Sequence, residues 1–135
     1  MAVLPAMLAN KSTSAKKHIV IVSSVAGYSG LPRAAAYGST KAALTNLAES
    51  LKHECNERNI DVTVVNPGFV KTPLTDLNDF PMPFIMELDD AAEAMYKGLA
   101  SRKFEVTFPK RFTWLLKFMR ILPYPIYFRL TRKLL

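Results

Sequence analysis

The sequence predicts an α/β fold: a doubly wound parallel sheet with flanking helices, followed by a basic amphipathic helical tail. Three observations predict it. Residues 18–23, HIVIVS, form a short and almost wholly apolar β-branched run, the pattern of a strand buried on both faces of a parallel sheet. A second such run, IDVTVVN at 60–66, stops at Pro67-Gly68. A long helical pattern separates the two, so strand, helix and strand form a βαβ unit with a right-handed crossover.

Each element follows in chain order. Residues 1–10, MAVLPAMLAN, read as the end of a helix leading into the first strand. They do not read as a secretory signal, because no basic residue precedes the apolar stretch and no small-residue cleavage pattern follows it. The expected location is cytoplasmic. Ser23, Ser24 and Gly27 end the first strand; Ser23 is expected to bond local backbone, and Ser29, Ser39 and Thr40 to serve turns or the helix start.

The helix from about Ala34 to Glu57 carries Leu44, Leu47, Ala48, Leu51 and Cys55 on one stripe, which would cover the sheet. Cys55 is the single cysteine, which rules out an internal disulfide and places a buried structural thiol on that stripe. His18 and His53 lack metal-ligand spacing and are expected to be solvated or at a strand edge; no metal site is expected. A proline-punctuated apolar segment occupies 73–87. A helix from about Asp89 to Ser101 follows, with acids in its first turn and Arg102 and Lys103 at its end. Phe104 to Phe108 reads as a short third strand.

The chemistry-bearing residues sit in the βαβ unit. Tyr37 and Lys41 are four positions apart on the helix, so they share a face. A phenol titrates near ~10 and is a poor proton carrier at neutral pH; a neighbouring ammonium favours the phenolate and suits it to acid–base work on a carbonyl or alcohol. That spacing by itself describes an exposed helix pair equally well. Its context adds Ser24, thirteen residues before Tyr37, and the turn Asn66-Pro67-Gly68 with Thr72 beyond it.

Together these residues resemble the catalytic, C-terminal half of the classical short-chain dehydrogenase/reductases, over roughly residues 1–107. The serine–tyrosine and tyrosine–lysine spacings and the N-P-G-x-x-x-T turn all match in order. The resemblance implies the last three strands of a Rossmann-like sheet and an NADP- or NAD-dependent oxidoreductase acting on a carbonyl or alcohol. Tyr37 would be the acid–base residue. Lys41 would lower its pKa and hold the nicotinamide ribose, and Ser24 would hold the substrate oxygen. Pro67, Gly68, Val70 and Thr72 would line the nicotinamide side, Val70 through its backbone and Thr72 through its hydroxyl. In this family the long helix often packs against its counterpart in a dimer. Segment 73–87 matches the variable substrate lid, and Phe80, Met82, Phe84, Ile85 and Met86 suit a small hydrophobic, even lipid-like, substrate, although a lid buried on the core would have the same composition.

The family's first half is not represented. The five glycines form no G-x-G-x-x-G or G-x-x-x-G-x-G, so the elements that grip the adenine side and select NADP or NAD are missing. The chain is therefore expected to be inactive alone. It would act with an N-terminal half, or as a non-catalytic remnant working through a partner chain or a membrane surface. The first strand's outer edge would be an apolar template, so self-association or pairing with that missing half is expected.

Residues 108–135 form the second region. They hold seven basic residues and no acid, whereas the rest of the chain balances eleven against eleven, so the tail carries the entire +7 charge. On a helical wheel Phe112, Leu115, Leu116, Met119 and Leu122 share one face, and Trp114, Phe118 and Ile121 lie among the cations on the other. Pro123 and Pro125 then break the helix. This texture suits peripheral contact with an anionic membrane; a protein-covered surface is the alternative. No nucleic-acid platform is evident, and no apolar run is long enough to span a bilayer.

Overall fold

The computed structural model describes residues 3–9, 16–73 and 75–132. Residues 1–2, 10–15, 74 and 133–135 lie outside the described part. Three parallel strands, β1 (Lys17–Val22), β2 (Ile60–Pro67) and β3 (Glu105–Phe108), form one sheet in the order β1-β2-β3. Helices α1 (Val3–Ala9), α2 (Ala35–Asn56), α3 (Leu88–Ala100), α4 (Lys110–Arg120) and α5 (Tyr124–Thr131) accompany it. The α/β reading holds, and the expected strands and helices fall within a residue or two of their positions.

The sheet is wound on both faces because β2 is apolar on both. Ile60, Val62 and Val64 pack with Ala48, Leu51 and Cys55 of α2, joined by Leu4 and Met7 of α1. Val65 turns the other way and packs with Val106 and Phe108 of β3 and Ala91 of α3. The buried Val, Ile, Leu and Phe side chains among these contribute about 1.5–3 kcal/mol each. Cys55 is buried, as expected. The α2 stripe is narrower than its sequence suggests, for Leu44 is half-buried and Leu47 exposed. The expectation that β1 is buried on both faces needs correction: α3 covers the sheet at β2 and β3 only, leaving Val20 and Val22 38% and 46% exposed.

His18 is half-buried, and its Nε2 lies 2.7 Å from Thr63 Oγ1. Burial, with the charge of Arg102 nearby, lowers its pKa. Among the described residues no cluster of potential ligands could hold a metal ion.

The tail docks on the carboxyl end of the sheet. The chain leaves β3 through a cis Phe108–Pro109 bond into α4, whose Phe112 and Leu116 pack with Val25 and Tyr28 of the turn after β1. The Tyr127 hydroxyl of α5 donates to Gly30 O at 2.9 Å. Leu115, assigned by the wheel to the inner face, is exposed, because Thr113 takes the buried place beside Phe112.

Candidate active site

The carboxyl ends of β1 and β2 and the first turns of α2 form the candidate site. A short 3₁₀ turn, Val25–Gly27, leads away from β1, and Ser24 caps it: its Oγ accepts from Ala26 N at 3.2 Å. The same hydroxyl donates to Pro67 O at 3.4 Å, tying the end of β1 to the end of β2. Ser24 is buried.

Two glycines let this turn lie on α2. A Cβ on Gly27 would sit 2.8 Å from both Ala42 N and the Lys41 carbonyl carbon, and one on Gly38 would sit 3.0 Å from Ala26 O. Backbone meets backbone here, beside the Tyr37–Lys41 turn, because neither residue has a side chain. Ser23 adds a tether: its hydroxyl donates to Lys41 O at 2.7 Å and lies 3.0 Å from Thr45 Oγ1. The expected local partner is thus replaced by the α2 backbone eighteen residues on. Ser29, Ser39 and Thr40 bond local carbonyls, as expected.

The Lys41 ammonium donates to Val22 O at 3.3 Å and lies 5.5 Å from the centre of the Tyr37 ring. Of its three N–H donors, one is thereby spent on β1. Tyr37 is 54% exposed, and its hydroxyl has no hydrogen-bond partner among the described residues. The structure thus brings Tyr37, Lys41 and the end of β1 together, and links Ser24 to Pro67.

The segment after β2 is held by backbone. Gly68 N donates to Phe108 O at 2.7 Å, and a Cβ there would meet Pro109 Cδ at 3.0 Å and Phe112 Cδ1 at 3.1 Å. Close packing against the tail is therefore a structural reason for glycine at 68. Val70 bridges Met86 through its neighbours, Lys71 N to Met86 O at 2.9 Å and Met86 N to Phe69 O at 3.0 Å, which leaves the Val70 N–H outside that pairing. Thr72 turns inward to Thr75: Thr72 N donates to Thr75 Oγ1 at 2.8 Å, and the two hydroxyls lie 3.4 Å apart. Thr75 Oγ1 also donates to Val70 O at 2.9 Å. Sequence reasoning missed Thr75; its signal was the T-x-x-T spacing, at which a hydroxyl can close a turn.

Glu105 was also missed. It lies on the α2 face of β3 and accepts at Oε1 from Tyr28 OH at 2.7 Å and Asn66 Nδ2 at 3.0 Å, while Oε2 pairs with Lys117 of α4. Burial opposes its charged form, yet hydrogen bonds from Lys117, Tyr28 and Asn66, with the charge of Lys117, outweigh it and hold the carboxyl below the usual range. Burial, and then the same carboxylate, push the Tyr28 phenol well above its usual value. The cluster fastens the tail to the residues just before Pro67 and just after Ser24. An acid at an inward position of a short strand was the available signal. A cavity of about 260 Å³ adjoins it, lined by Tyr28, Thr45, Glu49, Glu105, Lys117 and Arg120 among others.

The lid segment rests partly on the core. Phe80 lies 6.1 Å from Phe69 by ring centres, and Phe84, at φ 60°, lies 6.0 Å from Phe112. Met86 packs with the Val65 cluster, whereas Phe84 and Ile85 remain largely exposed.

The groups left open are an exposed phenol, an ammonium with donors to spare and the Val70 N–H, a donor set of the kind that a nicotinamide nucleoside would use. Gly68 N is already engaged.

Comparison with known proteins agrees with this fold. The family model described as short chain dehydrogenase matches residues 1–79. An uncharacterized oxidoreductase of Myxococcus xanthus is 42% identical over 133 residues, covering 98% of this chain and 51% of the relative. Dehydrogenase/reductase SDR family member 7B of Xenopus laevis is 40% identical over 74 residues, 55% of this chain and 22% of the relative. A short chain dehydrogenase from Burkholderia cenocepacia, solved with NADP, superimposes with a TM-score of 0.72 at 21% identity, over 93% of this chain and 50% of that one. A Sphingobium yanoikuyae short-chain dehydrogenase, solved with NADPH, gives 0.62 at 25% identity, over 79% of this chain and 46% of its own. The chain spans about half the length, or less, of these relatives. With the family model matching residues 1–79, more than half of the 135 residues, this chain belongs to the short-chain dehydrogenase family.

Proposed function

We propose that this chain supplies the acid–base half of an NAD(P)-dependent oxidoreductase acting on a hydrophobic carbonyl or alcohol, in the cytoplasm. The single observation that carries the reading is the Tyr37–Lys41 pair, a solvent-open phenol with an ammonium 5.5 Å from its ring centre, beside the end of β1. Tyr37 passes a proton to the substrate oxygen in reduction and takes it back in oxidation. Lys41 stabilises the phenolate that remains, and its spare N–H groups hold the nicotinamide ribose. Ser24 shifts its hydroxyl from Pro67 O to the substrate oxygen and keeps it beside Tyr37. Val70 offers its backbone N–H to the carboxamide, with Pro67, Gly68 and Thr72 shaping that side. NADP or NAD, when bound, supplies or accepts the hydride. Phe84 and Ile85 of the lid face the solvent and favour an apolar substrate.

The chain matches about half of its solved relatives, and in this reading the remaining half of the fold lies along the β1 edge. The test is reconstitution. We expect the 135-residue chain alone to bind neither NADPH nor NADH more tightly than about 1 mM, which is ~4 kcal/mol of binding. Co-expression with the N-terminal half of the Myxococcus relative should restore carbonyl reduction, followed by nicotinamide absorbance. Tyr37→Phe in that complex should cost about 10²–10⁴-fold in kcat. A complex in which Tyr37→Phe keeps full activity would overturn the reading.

A further inference from the structure

We propose that α4 seats the protein on an anionic lipid surface, with Trp114, Phe118 and Ile121 inserted at the interface and the neighbouring cations at the headgroups. The inference is independent of the redox chemistry. It starts from α4 being apolar on two opposite sides. On the inner side Phe112, Leu116 and Met119 fill the cluster with Val25 and Tyr28. On the outer side Trp114, Phe118 and Ile121 follow one another at helical spacing and are 70%, 58% and 76% exposed. A helix that only packs on a core needs one stripe. The second stripe is surplus to the fold.

Cations border that second stripe. Arg111 stands one turn before Leu115, beside Trp114, whereas Lys110 donates to Thr107 and Lys117 is held by Glu105. Among the described residues, Arg111, Arg120, Arg129 and Arg132 take part in no ion pair. Residues 108–135 contain no acid at all. Long basic side chains can lie along apolar surface and reach headgroups while the rings insert.

The choice of lipid over other occupants rests on charge and shape. A second copy would bring two such tails together and oppose like charges. A fitted protein groove would have to follow a second helix as well, since α5 exposes Tyr124 and Phe128 on one side and Ile126 and Leu130 on another. A fluid interface takes such an irregular outline without matching it. The α4 helix has 11 residues, far short of the ~20 needed to cross a bilayer, so it lies in the surface plane. No described helix is long and apolar enough to span a membrane.

Trp114 is the chain's single tryptophan, so its emission reports the contact directly. The full chain is mixed with vesicles of phosphatidylcholine, with or without about one-third phosphatidylserine, some carrying brominated acyl chains. We expect a blue shift and bromine quenching on the anionic vesicles, and neither on the neutral ones. Phe118→Ser with Ile121→Ser should weaken the partition about tenfold or more. Arg111→Gln should weaken it about fivefold. Both sets of side chains are exposed, and unchanged far-UV circular dichroism verifies the fold. Three outcomes each overturn the proposal: unshifted emission on anionic vesicles, equal shifts on neutral ones, or full binding by the double variant. A double variant that changes the sedimentation mass but not lipid affinity overturns it too, in favour of self-association.

Discussion

Single residues decide what the candidate site can do and how it is held. Tyr37 is open to solvent, and Lys41 reaches both its ring and the β1 carbonyl, which is what the proposed proton transfer asks of them. Glu105 works at a distance, since its carboxylate is the common acceptor for Tyr28, Asn66 and Lys117. The Asn66 side chain is fully buried and its Oδ1 has no partner among the described residues, so Glu105 is the group that orients it. Because the folded-state pKa of Glu105 is lowered, its contribution to stability is complete above the unfolded value, near ~4.3, and is lost as pH falls through the lower folded value. Glu105→Gln should therefore be less stable than the wild type at about pH 6, and the gap should narrow as pH approaches about 3. Urea unfolding followed by circular dichroism measures this; a gap that stays constant over that range would refute the assignment.

Elements decide how closely the functional groups approach one another. The 3₁₀ turn after β1 sits against α2 because Gly27 and Gly38 remove the Cβ atoms that would part them. Gly27→Ala would push a methyl to 2.8 Å from backbone atoms of Lys41 and Ala42, which have no flexible end to give way. We expect about 1–3 kcal/mol of destabilisation. Gly30→Ala is the control: nothing lies within 4 Å of its added Cβ, and that variant should be neutral or slightly stabilised. Equal urea midpoints for the two variants would show that the close approach is not required. At this scale the tail is also part of the site. Phe112 rests against Gly68 and Phe69, and Lys117 holds Glu105, so α4 buttresses the segment that follows β2.

At the largest scale the described sheet has three strands, with β1 and β3 at its two edges. Beyond β3 the chain folds back as α4 and α5. Beyond β1 no strand pairs among the described residues, and Val20 and Val22 face solvent. A parallel strand built for burial is a template for another backbone. The isolated chain should accordingly self-associate at micromolar concentration, and Val20→Lys should shift it towards monomer in sedimentation velocity. A wild-type chain that sediments as a clean monomer would show that this edge is not adhesive.

Much of this was legible in the residues, for particular reasons. Apolar β-branched runs at 18–23 and 60–66 specify strands because only burial in a sheet accommodates them, and the Ser24, Tyr37, Lys41 and Asn66-Pro67-Gly68 spacings mark the family. The two sides of α4 were likewise readable from its wheel, apart from the exposed Leu115 and the buried Thr113. The half-exposed β1 and the Glu105 clamp were not, because each depends on what lies across the sheet and not on neighbours along the chain; the turn of Thr72 to Thr75 is local, and its T-x-x-T spacing was overlooked. Local pattern by itself therefore determined the elements, their order and the reactive residue types. Tertiary structure alone decided which hydroxyls stay open, since a hydrogen-bonding group is spent or spared only by the partner that packing brings within about 3 Å.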